Sequence, residues 1–344
     1  VPTISSVTAS WGAYLNETED DSSGTVTVVT SDAENSQTVT VSLNGTNYTG
    51  TVSDNSTTVT IAASGLQDLT DGSSYPLTTN VSDVAGNAAT ENTGTSFTYD
   101  KTSPTLAETT LVPSLTNDNS TQYTFSSNEG GTISIGGSCS SDNSTAVADN
   151  MTVSFADLED GTYSNCSITV TDSAGNSNTI NVNSFTIDTT SATLSQVTAV
   201  TSPTNDNTSS YTFSSTEAGT INYGGSCSSS TTVATTDNNT INFNALSDAT
   251  YSDCKISVTD NASNTSDNLT VNSFTIDTVK PVIAQVTAVT TPTNDTTPGY
   301  DFSSDEAGTI SYSGCSQGET SAINGTNSIS FGTLSEASYS CTIT

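Results

Sequence analysis

No histidine and no arginine occur among the 344 residues, and lysine appears three times, at Lys101, Lys255 and Lys280. Without histidine there is no Ser-His or Cys-His pair to generate a nucleophile. Without a basic surface nothing neutralises phosphate, so nucleic acid is excluded as a partner, as is an anionic membrane surface. Apolar runs of membrane length are missing, which excludes membrane insertion in this segment. Long helical patterns are missing too. Hydrophobic residues make up only 31% of the chain, below the usual globular share, which argues against one large core. Trypsin-like proteases would find almost nothing to cut, a property suited to an exposed chain.

What is present is acid, hydroxyl and repetition. Asp and Glu number 36, giving a net charge of −33, and the electrostatic partner this implies is a small cation. Ser and Thr together number 128. Such a composition can signal disorder, but here apolar and hydroxyl side chains alternate, as in Thr25-Val26-Thr27-Val28 and Val39-Thr40-Val41. Period-two alternation marks strands with one wet face.

Three blocks align almost without gaps. Tyr123-Thr-Phe-Ser-Ser returns at Tyr211 and, as Tyr-Asp-Phe-Ser-Ser, at Tyr300; Cys139, Cys227 and Cys315 are each 88 residues apart. The first hundred or so residues are a diverged relative, sharing Asp83-Val-Ala-Gly-Asn87 with Asp172-Ser-Ala-Gly-Asn176 and Phe97-Thr-Tyr-Asp100 with Phe185-Thr-Ile-Asp188. In the second block, Tyr123 and Phe125, then Ile133 and Ile135, then Val153 and Phe155, then Cys166, Ile168 and Val170, and finally Ile180 and Val182 form inward-facing sets separated by turn formers. About seven short strands in roughly ninety residues is the pattern of a two-sheet sandwich. A change of face between Val182 and Phe185 predicts a bulge there.

These repeats resemble the bacterial Ig-like domains strung along large secreted surface proteins and biofilm-type adhesins. The resemblance rests on the Asp-x-Ala-Gly-Asn turn and the Phe-x-hydrophobic-Asp ending followed by Thr-x-x-Pro. The third block departs from it, with Asp260-Asn-Ala-Ser-Asn264 lacking the glycine and Ala192 standing where Pro104 and Pro281 sit. The expected fold is all-β, tandem immunoglobulin-like β-sandwich repeats in an extended rod. The expected divisions are 1–103, without cysteine; 104–191; 192–280; and 281–344, an incomplete repeat whose last strand is missing. The chain reads as an interior piece of a longer polypeptide. The resemblance implies a secreted or cell-surface protein, often calcium-bound, whose partners are neighbouring repeats of the same chain.

The six cysteines fall in pairs, one pair per repeat: Cys139 with Cys166, Cys227 with Cys254, and Cys315 with Cys341, at separations of 27, 27 and 26. Both members of each pair sit in the inward-facing parity, and only pairing within a repeat closes each unit by itself. A metal reading of the thiols is weak, because no repeat supplies a histidine or a third thiolate. Disulfides persist in oxidising compartments, and each would stabilise its repeat by roughly 3 to 4 kcal/mol in the chain-entropy model.

Acidic residues recur where loops of successive sandwiches would meet. One group is Asp100, Glu129 and Asp172; a second is Asp118, Asp188, Glu217 and Asp260; a third is Asp206, Asp277 and Glu306. Such groups suit calcium, which takes six to eight oxygens. A second reading is that Asp and Asn sit in turns because their side chains bond nearby backbone. Sequons such as Asn44, Asn55, Asn119 and Asn207 are no more frequent than this composition produces by chance. Trp11 reads as a packing residue.

An enzyme is not expected, since acids that recur with the repeat fit a structural role better than one active site. The favoured function is a structural stalk segment of an extracellular bacterial adhesin, giving reach and stiffness, calcium-rigidified. The alternative is a subunit of a self-assembling filament or surface layer, in which a strand from another copy completes the last repeat by β-augmentation. A third reading, carbohydrate-binding accessory modules, lacks an exposed aromatic row.

Overall fold

The computed structural model describes residues 1–315 and 319–344. The chain is all-β apart from two short helices among the described residues, and divides into two compact units, Val1–Ser191 with Asn261–Asn264, and Ala192–Asp260 with Thr265–Thr344. Each unit holds two separate apolar cores. Those of the first are built around Trp11, Val26, Val41 and Tyr99, and around Tyr123, Phe125, Ile168 and Phe185. Those of the second centre on Tyr211, Phe213, Ile256 and Phe274, and on Phe302, Ile310, Ile329 and Phe331.

The second repeat shows how a hydroxyl-rich sequence makes a sandwich. Gln122–Ser127 lies between Leu106–Thr110 and Asp149–Ser154 in one antiparallel sheet. Gly131–Gly136 lies between Thr145–Ala146 and Ser167–Thr171 in the facing sheet, which Ser177–Asn181 extends. Successive side chains point to opposite faces, so Tyr123 and Phe125 are fully buried while Thr124 and Ser126 lie on the outer side. On the wet face of each sheet threonine hydroxyls pair across strands, Thr124 with Thr152 at 2.9 Å in the first and Thr169 with Thr179 at 2.8 Å in the second. A β-branched residue with a hydroxyl fits a pleated, half-wet surface. Threonine thus supplies strand propensity that the low apolar content does not.

The change of face after Val182 is a change of sheet, not the bulge expected there. Ser177–Asn181 belongs to the four-stranded sheet, whereas Phe185–Ile187 pairs with Gly161–Tyr163 and, in parallel, with Leu115–Thr116. Val182 and Phe185 are both buried because the chain crosses between layers over one core. The register shift lies instead in the first strand, between Glu108 and Thr110, and recurs at Gln196/Thr198 and Gln285/Thr287.

Disulfides join Cys139 to Cys166, Cys227 to Cys254 and Cys315 to Cys341, with Cα atoms 5.4, 5.2 and 5.3 Å apart. A glycine at the strand exit makes this approach possible. Gly137, Gly225 and Gly314 all have positive φ, and a Cβ there would lie 2.0, 2.1 and 2.2 Å from the carbonyl oxygen of Asn165, Asp253 and Ser340. One residue separates this glycine from the cysteine at Gly137 and Gly225 and none at Gly314, and the third pair also has one residue fewer between its cysteines. Gly137→Ala is expected to destabilise the second repeat by about 2 kcal/mol or more, through the positive φ and the backbone clash together. Chemical unfolding of the variant, followed by hydrogen exchange within residues 122–187, checks this.

The first repeat has the same arrangement without a disulfide. Gly24–Ser31 lies between Thr3–Ala9 and Ser56–Ile61, facing Thr38–Leu43 and its partners. Leu77 is buried, and Trp11 meets Phe97 edge-on at 5.2 Å. Two short helices, Glu17–Asp20 and Ala63–Gln67, were not expected from the sequence. The first is set by a capping box. The Asn16 side chain accepts from the Thr18 and Glu19 amides, and Glu19 accepts from the Asn16 amide, satisfying donors a helix start leaves open.

Candidate metal centre

The exit of the first repeat meets two turns of the second within the first unit. Asp100 follows the strand Phe97–Tyr99, and its amide donates to Leu15 O at 2.9 Å. Glu129 sits in the turn between Gln122–Ser127 and Gly131–Gly136, where the Ser127 hydroxyl donates to Glu129 O at 2.6 Å. Asp172 is buried and organises the Asp-Ser-Ala-Gly-Asn turn: its carboxylate accepts from the amides of Ala174 and Asn176 at 2.8 and 2.9 Å and from the Asn176 side chain at 3.0 Å. Asn176 also donates to Asp100 O at 2.9 Å, and Asn16 donates to Ala174 O at 2.7 Å. These bonds dock the two repeats and carry the three acids together. One oxygen from each of Asp100, Glu129 and Asp172 lies within 4.8 Å of the other two.

Turn formation accounts for Asp172, and the Asp100 carboxylate likewise accepts from the Thr102 amide at 3.2 Å. Asp83 makes the same bonds to Asn87, at 2.7 and 2.9 Å, in the exposed copy of this turn in the first repeat. Glu129 is different. Its Oε1 is buried and has no hydrogen-bond partner. A buried acceptor in that state costs about 1–3 kcal/mol unless a donor or cation meets it. The donor set is all carboxylate, the chemistry a hard divalent cation prefers, so the residues present fit calcium.

Burial, followed by the charges of Asp172, Asp100 and Asp71, holds the Glu129 carboxyl above its ordinary range; burial and then Asp172 and Asp71 do the same to Asp100, against the Thr102 amide. For such groups the native state binds protons more readily than the unfolded chain, so stability falls as pH rises. Their protonated form contributes stability that is fully present below the ordinary carboxylate range and lost as pH rises through the elevated value. In calcium-free buffer Glu129→Gln is therefore expected to be the more stable protein at neutral pH, with the gap closing on acidification through that window. Paired urea titrations across pH measure it.

The other acids singled out in the sequence are placed differently. Asp118 and Asp206 are exposed, and each carboxylate serves its own loop, accepting from Ser120 at 3.0 and 2.9 Å and from the Thr208 amide and hydroxyl, both at 2.9 Å. Neither joins a cluster of three acids among the described residues. Asp188, in the first unit, accepts from the Thr190 amide at 3.2 Å. In the second unit Asp260 is buried and Glu217 half-buried, the Ser215 hydroxyl donating to Glu217 O at 2.6 Å. Also in that unit, burial and then the charges of Asp277 and Asp305 push Glu306 upward.

One recurring device escaped the sequence reading. Asp71 accepts from the Lys101 amide at 2.9 Å and from the Thr102 hydroxyl. Asp160 accepts from Thr189 and Thr190, and Asp248 from Thr278, at 2.7–3.1 Å. Bonds from the threonines hold Asp71 and Asp160 below the ordinary aspartate range. Each pins the segment just after a repeat's exit aspartate. The signal, an Asp three or four residues before Tyr75, Tyr163 and Tyr251, is visible only once the partner is known.

Residues 110–189 match the family model of the bacterial Ig-like domain. No curated protein matches the chain in sequence. Among solved structures the chain is similar to a Ca2+-stabilized adhesin that helps an Antarctic bacterium reach out and bind ice, with 21% identity, all of this chain and 98% of that chain covered, and a TM-score of 0.36. It is also similar to a bacterial immunoglobulin-like domain from the M. primoryensis ice-binding adhesin, with 29% identity over 28% of this chain and 99% of that one, at a TM-score of 0.22. A structure bearing on host cell surface retention of a 1.5-MDa bacterial ice-binding adhesin has 19% identity over 80% and 97% of the two chains, at a TM-score of 0.34. Residues 110–189 thus match a bacterial Ig-like domain, and internal repetition relates the rest of the chain to that stretch.

Proposed function

We propose that the chain is a structural segment of an extracellular bacterial adhesin, divided into repeats at 1–103, 104–191, 192–280 and 281–344, and that calcium ties its first repeat to its second. The observation that carries the calcium reading is the partnerless buried oxygen of Glu129, set among carboxylates from both repeats. Asp100, Glu129 and Asp172 would hold the ion, which would supply positive charge among the three carboxylates. The chain's own residues do the rest. Asn176 and Asn16 fix the docking, Asp172 fixes the turn, and Asp71 fixes the linker at Lys101 and Thr102. A junction held this way is stiffened beyond its peptide linker without a covalent cross-link between the repeats.

A secreted or surface setting accords with three disulfides, which persist in oxidising compartments. Among the described residues no helix is long and apolar enough to cross a membrane. Calorimetry in millimolar calcium and in chelator tests the reading. A calcium-dependent rise in the melting temperature of the first unit is expected, and equal melting in both buffers would refute it.

A further inference from the structure

Three peptide bonds of the chain follow a basic residue: Lys101–Thr102, Lys255–Ile256 and Lys280–Pro281. They stand in three different settings. The ring of Pro281 and its missing N–H keep the third bond out of a trypsin-like active site. Lys255 lies in the strand Lys255–Asp260, paired with Gly224 on one side and Thr270 on the other. A protease takes its substrate as an extended segment through main-chain hydrogen bonds. A bond whose own main chain is already paired on both sides stays closed until the repeat unfolds.

Lys101–Thr102 is different. It lies in the irregular stretch 100–105, between the strands Phe97–Tyr99 and Leu106–Thr110, and Lys101, Thr102 and Ser103 are all exposed. The lysine side chain is therefore accessible, but the backbone around the bond is tied down. The Lys101 amide donates to Asp71 Oδ1 at 2.9 Å and the Thr102 hydroxyl to Asp71 Oδ2 at 2.5 Å, while the Thr102 amide donates to Asp100 Oδ1 at 3.2 Å. Asp71 is held in turn, because the Gly72 amide donates to Tyr99 O at 2.8 Å. Beyond the bond, Asn178 donates to Pro104 O at 2.9 Å and the Thr105 amide donates to Asn128 Oδ1 at 2.6 Å. One carboxylate thus grips the residues on both sides of the bond.

We propose that Lys101–Thr102 is a proteolytic release site for trypsin-like serine proteases, latched by Asp71. With the latch closed the segment cannot straighten into a protease cleft. When it opens, Lys101 is presented as the one lysine in a loop that no proline follows. Hydrolysis adds one water across the bond, leaving a carboxylate on Lys101 and an amine on Thr102. All six cysteines follow residue 102, so no disulfide spans the cut. The first repeat is then held to the second only by non-covalent contacts, such as Asn176 to Asp100 O and Asn16 to Ala174 O. The assignment rests on Asp71 and the placing of the lysines and is independent of the calcium site.

Limited digestion of the full native chain with trypsin, read by intact mass, tests this. Slow cleavage to the fragments 1–101 and 102–344 is expected, with Lys255–Ile256 intact. Asp71→Ala should be cut at the same bond at least about tenfold faster, because cleavage through local opening follows the population of the open form and two charge-assisted hydrogen bonds are lost. Hydrogen exchange within Gly24–Ser31 should be the same in both proteins, since Asp71 is exposed and outside the first core. First cleavage at Lys255, equal rates for the two proteins, or no cleavage of either overturns the proposal. So does exchange in Gly24–Ser31 that rises with the cleavage rate, which would make unfolding of the whole repeat the route. The Asp71→Ala acceleration is expected both in calcium and in chelator. Its persistence where calcium changes neither rate nor melting would sink the metal reading and leave this one standing.

Discussion

Replacing Cys139 and Cys166 together by alanine is expected to destabilise the second repeat by about 3.5 kcal/mol, the chain-entropy value for a loop of this length. Loss of sulfur packing adds to this, since both cysteines are buried. Domains of this size are stable by about 5–15 kcal/mol, and this one has a thin core, so the variant should be marginal. The first repeat provides an internal control. It has no cysteine, and the single tryptophan, Trp11, is buried in its core. With a reductant present, hydrogen exchange in Ser167–Thr171 should accelerate strongly while the intrinsic Trp11 unfolding signal moves little. Exchange that is indifferent to the disulfide would show that the apolar core alone holds the repeat.

Calcium should have the next largest effect. At a hundredfold excess over its dissociation constant an ion bound only by the native state stabilises by about 2.7 kcal/mol. Glu129→Gln should remove most of that increment and, in chelator, gain about 1 kcal/mol over wild type, because an amide can donate into the carboxylates that the glutamate only repels. The two effects have opposite sign, which separates a metal ligand from a residue that merely packs. Wild type and variant should therefore exchange rank between calcium and chelator, as read from the melting of the first unit through Trp11. A variant less stable than wild type in both buffers would make Glu129 a packing residue and remove the site.

Much of the fold was legible because its grammar is local. Alternation at Tyr123, Phe125, Ile168 and Val170 marks strands whatever they pair with, and the inward parity of the cysteines follows from the same period. The features that were missed are those local pattern cannot encode. The helix Glu17–Asp20 is too short to show a helical period, although Asn16 and Glu19 spell its cap. A change of face at residue 183 looks identical in sequence whether the chain bulges or moves to the other sheet. The bulge at Glu108 and Thr110 involves exposed polar residues, so no apolar pattern breaks there. Asp71, Asp160 and Asp248 act on partners about 30 residues away.

The amino-acid sequence by itself determined the repeat, the strand pattern, the cysteine pairing within each repeat and the scarcity of positive charge, since these depend on period and composition. Which acids converge was decided only by tertiary structure. Asp83 and Asp172 stand in the same motif and make the same turn, yet only Asp172 faces Asp100 and Glu129. A turn closes through bonds four residues long, whereas a cluster of charges forms where one repeat docks on another, through contacts such as Asn176 to Asp100 and Asn16 to Ala174.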